Sequence, residues 1–113
     1  LTEQTKNLVN NFTLAHLPAG ASLINFGRSR IIDDKALLDK LDRGHLKHAV
    51  LDVFDIEPLP QTSPFWQHSG VTVLPHISAP TNLVSACEIA AQNITNYFNT
   101  GQLPDCVDRS RGY

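Results

Sequence analysis

Two hydrophobic periods alternate along the chain, and the alternation predicts helices and strands in turn. Leu8, Val9, Phe12 and Leu17 make a short helical face, closed by the turn signal Pro18-Ala19-Gly20. Ala21 to Phe26 is an apolar run of strand length that ends in the polar segment Gly27-Arg28-Ser29-Arg30. Asp33 then has the character of a helix N-cap, Leu37, Leu38 and Leu41 share one helical face, and Gly44 stands where a C′ glycine belongs. A second strand is expected from His48 to Phe54 and a third from Val71 to Leu74, with a loop between them that Pro58, Pro60 and Pro64 enforce. From Thr81 onward, Leu83, Cys87, Ala90, Ile94 and Tyr97/Phe98 keep helical spacing until Gly101 and Pro104 stop it.

Three strands joined by two crossover connections predict an α/β fold. They amount to about half of a doubly wound parallel sheet of the dinucleotide-binding (Rossmann) type, followed by a long C-terminal helix. The expected division is residues 1–80 for the half-sheet and 81–113 for the helix and tail. In open parallel sheets ligands bind beyond the carboxyl ends of the strands. Those ends carry Asn25-Phe26-Gly27-Arg28, then Asp52-Val53-Phe54-Asp55-Ile56-Glu57-Pro58, then Pro75-His76-Ile77-Ser78-Ala79-Pro80. An arginine, two acids and a histidine are thus expected to converge.

The set has one coherent chemical use, the reduction of a 2-keto acid. Arginine's planar fork grips a carboxylate bidentately, which lysine cannot copy. Histidine is the natural proton donor near neutral pH, and a carboxylate such as Glu57 beside it favours the charged ring and fixes its orientation. Taken singly, Arg28 also suits a surface ion pair, Glu57 a loop acid and His76 a strand-end histidine; their placement after successive strands is what joins them.

Composition narrows the classes without choosing among them. The 113 residues allow one modest domain, and 42% hydrophobic residues, 18% charged residues and a net charge of -2 suit an ordinary globular chain without the basic surface that nucleic acid requires. No apolar run approaches the ~20 residues that span a bilayer and no leader pattern opens the chain, so the expectation is a cytoplasmic protein with no membrane partner. The chain contains no methionine and is therefore expected to begin in mid-protein. Cys87 and Cys106 lack CxxC spacing and are expected to be free thiols. His16, His45, His48 and His68 lack metal-ligand spacing and are expected to be solvated, Asp33 and Asp34 to serve as capping charge, and Trp66 to act as a packing anchor rather than a pocket wall.

Three segments, Ala19 to Arg28, Leu51 to Leu59 and Leu74 to Ile77, resemble in order and interval the consecutive signatures of the D-isomer-specific 2-hydroxyacid dehydrogenases. Leu1-Thr2-Glu3-Gln4-Thr5 is similar to the end of that family's preceding cofactor loop. Within the family, Ser63-Pro64-Phe65-Trp66-Gln67-His68 and Val107 to Tyr113 resemble the glyoxylate/hydroxypyruvate reductase branch most.

The resemblance implies NADPH, or NADH, as cofactor and a small 2-keto acid as substrate. It makes Arg28 the substrate-carboxylate anchor, His76 the proton donor to the substrate and Glu57 its orienting partner. Asp52 corresponds to the acid at the nicotinamide end of the cofactor, with Phe26, Gly27, Ser78 and Ala79 lining the same region; Arg28 and His76 border it as well. Two departures stand out: Ser29 follows Arg28 where glycine is usual, and Ser78-Ala79 replaces a pair that is often glycine. Ser29 is therefore expected to need a backbone conformation that glycine adopts easily. No GxGxxG occurs, so the isolated chain is expected to hold cofactor weakly and to turn over little substrate. The last helix is expected to leave apolar surface uncovered and to favour a homodimer or higher self-association. A nucleotide-sensing regulator and a stand-alone interaction module are the competing readings.

Overall fold

Ala21–Asn25 (β1), Leu46–Leu51 (β2) and Val71–Val73 (β3) pair in parallel in the order β1-β2-β3. Helix α1 covers Asn11–Ala15, α2 Asp34–Asp42 and α3 Leu83–Thr100. This is the parallel α/β arrangement that the pattern predicts. The computed structural model describes residues 1–111, as one unit from Leu1 to Ala79 and another from Pro80 onward.

In the first unit, Leu14, Leu37, Leu41, Leu46, Ala49 and Leu51 form the centre of the core between the sheet and the helices. Helix α2 follows its sequence signals closely. The Asp33 side chain accepts from the amides of Lys35 and Ala36, Ala36, Leu37 and Leu41 are buried, and Gly44 takes φ 69°. The first helix differs from expectation. A capping box between Asn10 and Thr13 delays its start until Asn11, Val9 enters a parallel bridge with Ile32 instead, and Phe12 and Leu8 lie exposed while Leu14 fills the core.

The second strand also sits earlier than its hydrophobic run suggests. Leu46 pairs with Ala21 at its start, and the pairing ends at Leu51; the Asp52 amide still donates to the Asn25 carbonyl, but the Phe54 amide turns to the Glu57 side chain. β1 ends at Asn25, whose side chain captures the Gly27 amide, and β3 ends at Val73.

Two histidines expected in solvent are structural ties. The His68 side chain is mostly buried; its Nδ1 accepts the Gly70 amide at 3.0 Å, so Nε2 carries the proton toward Asp42 at 3.2 Å. His45 Nε2 lies 3.1 Å from the Leu14 carbonyl. Trp66 is not the packing anchor either: in the 3-10 turn Pro64–Trp66 it is Phe65 that points inward, 4% exposed, while Trp66 is 52% exposed.

In the second unit, Asn82 caps α3 by accepting the Ser85 amide, and Gly101 closes it with φ 71°. Taken by itself the helix buries none of its residues, and Leu83, Ile94 and Phe98 are exposed. Cys87 and Cys106 are free and exposed. Among the described residues no helix is long and apolar enough to cross a membrane, and no group of three or more metal-ligating side chains gathers.

Candidate active site

The turn after β1 is shaped by Asn25. Its Oδ1 accepts the Gly27 amide at 3.0 Å and its Nδ2 donates to the Arg28 carbonyl at 3.0 Å, which folds the backbone back on itself and leaves Arg28 on the surface. The Arg28 guanidinium donates through Nη1 to the Gly27 carbonyl at 2.8 Å. Ser29 begins a 3-10 turn without positive φ, so serine replaces the usual glycine here without backbone strain, contrary to expectation.

Beyond β2, Asp52 is 1% exposed, yet both carboxylate oxygens are used: Oδ1 accepts the Ile77 amide at 2.9 Å and Oδ2 the Ser78 amide at 2.8 Å. Burial pushes this carboxyl up. The Ser78 and Ile77 amides, the Ser78 hydroxyl and the nearby His76 outweigh that and hold it below the usual range. Asp52 thereby fastens the chain just after His76, which takes the left-handed conformation at φ 55°. A histidine is uncommon there, and two gripped amides on its C-terminal side are a sufficient cause for its retention.

Glu57 joins the two loops. Its Oε1 accepts the Phe54 amide at 2.9 Å and its Oε2 lies 2.8 Å from His76 Nδ1. The hydrogen bond to His76 first, and the Phe54 amide next, hold the Glu57 carboxyl below its ordinary value of 4.5. With Nδ1 donating to the carboxylate, Nε2 is the nitrogen left to exchange a proton with a ligand. A concavity of about 500 Å³ lies beside this couple, lined by Phe54, Glu57, Pro58, Trp66, Leu74 and His76 among others. The Trp66 indole N–H is fixed on the Pro60 carbonyl at 3.0 Å.

The sequence-predicted residues thus fall into two groups. Glu57 and His76 are joined by one direct hydrogen bond and Asp52 and Ser78 by another, with the charge of His76 acting on Asp52 between the two pairs. Arg28, with exposed Phe26 and Gly27, shares the carboxyl edge of the sheet but makes no hydrogen bond to Glu57 or His76, and Ala79 is an exposed position after the histidine loop. Sequence reasoning missed the Asn25 turn lock, for which an asparagine two residues before glycine was the available signal. It also missed Asp55, which accepts from both Ser29 and Arg30 and which no local pattern marks.

Residues 1–78 match the family model described as D-isomer specific 2-hydroxyacid dehydrogenase, NAD binding domain. The chain belongs to the D-isomer specific 2-hydroxyacid dehydrogenase family. It is 42% identical over 112 residues to the glyoxylate/hydroxypyruvate reductase A of Salmonella newport strain SL254, a match that takes in 99% of this chain and 36% of that protein. The chain therefore spans about a third of the length of the curated relatives it matches.

Among solved structures, a D-isomer specific 2-hydroxyacid dehydrogenase from Xanthobacter autotrophicus Py2, in complex with NADPH and MES, superposes with a TM-score of 0.90 at 40% identity. That match covers 100% of this chain and 47% of the other. The NADPH-dependent glyoxylate/hydroxypyruvate reductase of Sinorhizobium meliloti, in complex with NADP and sulfate, gives 0.87 at 35% identity, with 100% and 37% covered. Of the C-terminal segment that resembles the reductase branch, Gly112 and Tyr113 lie outside the described residues.

Proposed function

We propose that this chain supplies the proton-donating and carboxylate-binding part of an NADPH-dependent reductase of small 2-keto acids, converting glyoxylate to glycolate and hydroxypyruvate to D-glycerate. The observation that carries the reading is the 2.8 Å couple between Glu57 Oε2 and His76 Nδ1 at the carboxyl edge of a parallel sheet. A sensor on the same fold has no chemical need for such a couple, nor does an interaction module. The 42% identity to a glyoxylate/hydroxypyruvate reductase A supports the choice of substrate class.

In this reading Glu57 holds His76 with Nδ1 engaged, and Nε2 gives a proton to the developing alkoxide of the substrate. Arg28 binds the substrate carboxylate with its planar fork and polarises the ketone. Bound NADPH, or NADH, supplies the hydride. Gly27 fits a close cofactor approach: its φ is not positive, and among the described residues a Cβ there would meet only Asn25 Oδ1 at an ordinary 3.5 Å, so none of them accounts for a glycine. Phe26, Ser78 and Ala79 line the same edge, while Asp52 holds the loop that carries Ser78. Residues 1–80 act as the C-terminal half of the cofactor domain, and 81–113 lead back toward a substrate domain. The reading carries with it a cytoplasmic location and self-association through exposed apolar side chains such as Leu83 and Phe98.

The test is to replace the aligned segment of the Salmonella relative by this chain and follow NADPH oxidation. Reduction of glyoxylate and hydroxypyruvate, with NADPH used in preference to NADH, is expected. A folded chimaera that binds NADPH but reduces neither acid would contradict the reading.

A further inference from the structure

Asp55 lies two residues before Glu57, and Ser29 directly follows Arg28. Ser29 Oγ donates to Asp55 Oδ1 at 2.8 Å, and Arg30 Nε donates to the same oxygen at 3.3 Å. One carboxylate oxygen therefore fastens the loop that bears the arginine to the loop that bears the glutamate. On its other side, Arg28 is held by the Asn25 amide on its carbonyl. Among the described residues the guanidinium itself bonds only within its own turn, to the Gly27 carbonyl. The Ser29 and Asn25 contacts thus flank Arg28, and the Ser29 contact is the one that reaches the Glu57 loop.

We propose that Ser29 and Asp55 are positioning residues, a clip that registers Arg28 against the Glu57–His76 couple and so sets the affinity for the substrate carboxylate. The proposal rests on the reading of Arg28 given above. The serine hydrogen bond, an O–H donating to a charged oxygen, should dominate. The Arg30 ion pair adds little, because its partners are 54% and 48% exposed. Because the contact is solvent-exposed, its effect is that of an ordinary hydrogen bond, about five-fold. Asp55 also faces Asp34, so Ser29→Ala is the cleaner variant and Asp55→Ala, which removes the acceptor, its companion.

Amide hydrogen exchange on the whole 113-residue chain tests the clip directly. The Ile31 and Ile32 amides close the turn that follows Arg28, donating to the Arg28 and Ser29 carbonyls, whereas the Leu37 amide reports the buried core. Ser29→Ala and Asp55→Ala should each speed exchange at Ile31 and Ile32 by about five-fold. The double variant should add nothing, Ser29→Thr should keep the original rate, and Leu37 should not change. Unchanged rates at Ile31 and Ile32, additive effects, or equal acceleration at Leu37 would overturn the proposal. In the chimaera described above, either variant should raise the KM for glyoxylate by about five-fold while kcat stays within about two-fold. Loss of kcat at constant KM would also overturn it. A chimaera inactive before any substitution would instead contradict the functional reading, and the exchange rates would still decide the clip.

Discussion

Glu57 is held at both carboxylate oxygens, by the Phe54 amide at 2.9 Å and by His76 Nδ1 at 2.8 Å, so the ring is oriented by a group that cannot swing away. Because these contacts depress the Glu57 carboxyl below 4.5, the couple stays charged on the glutamate side throughout the neutral range. Loss of the Glu57 charge should therefore limit activity only in acid below that value. A pH profile of kcat/KM for glyoxylate, compared with that of Glu57→Gln, checks this; an acid limb near neutrality that disappears in Glu57→Gln would count against it.

Arg28 has a different job and a different signature. Arg28→Lys keeps the charge but not the fork, and should raise the KM for keto acids on the order of ten-fold or more, with Arg28→Ala worse. Steady-state kinetics with glyoxylate separate the cases. Full rescue by lysine would show that a point charge suffices.

The asparagine, histidine and aspartate ties explain how much of the site was legible in the sequence. The parallel strands, the Asp33 cap and the residues at the three strand ends follow from local patterns. The partners of Asp55 and Asp52 could not be read that way, because they lie 25–26 residues away in sequence. The early stop of β2 was hidden for another reason: Val53 and Phe54 are apolar enough to continue a strand, but the Phe54 amide turns to the Glu57 side chain. Likewise, nothing in the spacing of Leu8, Val9 and Phe12 reveals that the Asn10–Thr13 capping box starts the helix after two of them.

Asp34 gives a stability test with a definite sign. Burial, then the charges of Asp55 and Asp33, push its carboxyl from 3.8 to about 6. The folded state then binds this proton more tightly than the unfolded chain does, so the contribution is fully present below the unfolded value of 3.8 and is lost as pH rises through about 6. Asp52 and Glu57, shifted downward, work in the opposite sense and lose their contribution on acidification. Thermal melts should show Asp34→Asn gaining on the unmodified chain between pH 3.8 and about 6, with the advantage constant above that. Parallel curves at every pH would contradict the assignment.

The isolated chain should hold NADPH poorly. It contains no glycine-rich loop at a helix N-terminus to bind a pyrophosphate, although the residues proposed for the nicotinamide side are present. Isothermal titration calorimetry on the 113 residues should give binding far weaker than that of the chimaera. Equal affinities would mean that this chain alone grips the phosphates.

The most direct test of the central claim is turnover by the chimaera with His76→Ala. General acid catalysis of this kind contributes roughly 10²–10⁴-fold, so kcat for glyoxylate should fall by about that factor while NADPH binding is retained. An unchanged kcat would remove His76, and with it the Glu57 couple, from the chemistry.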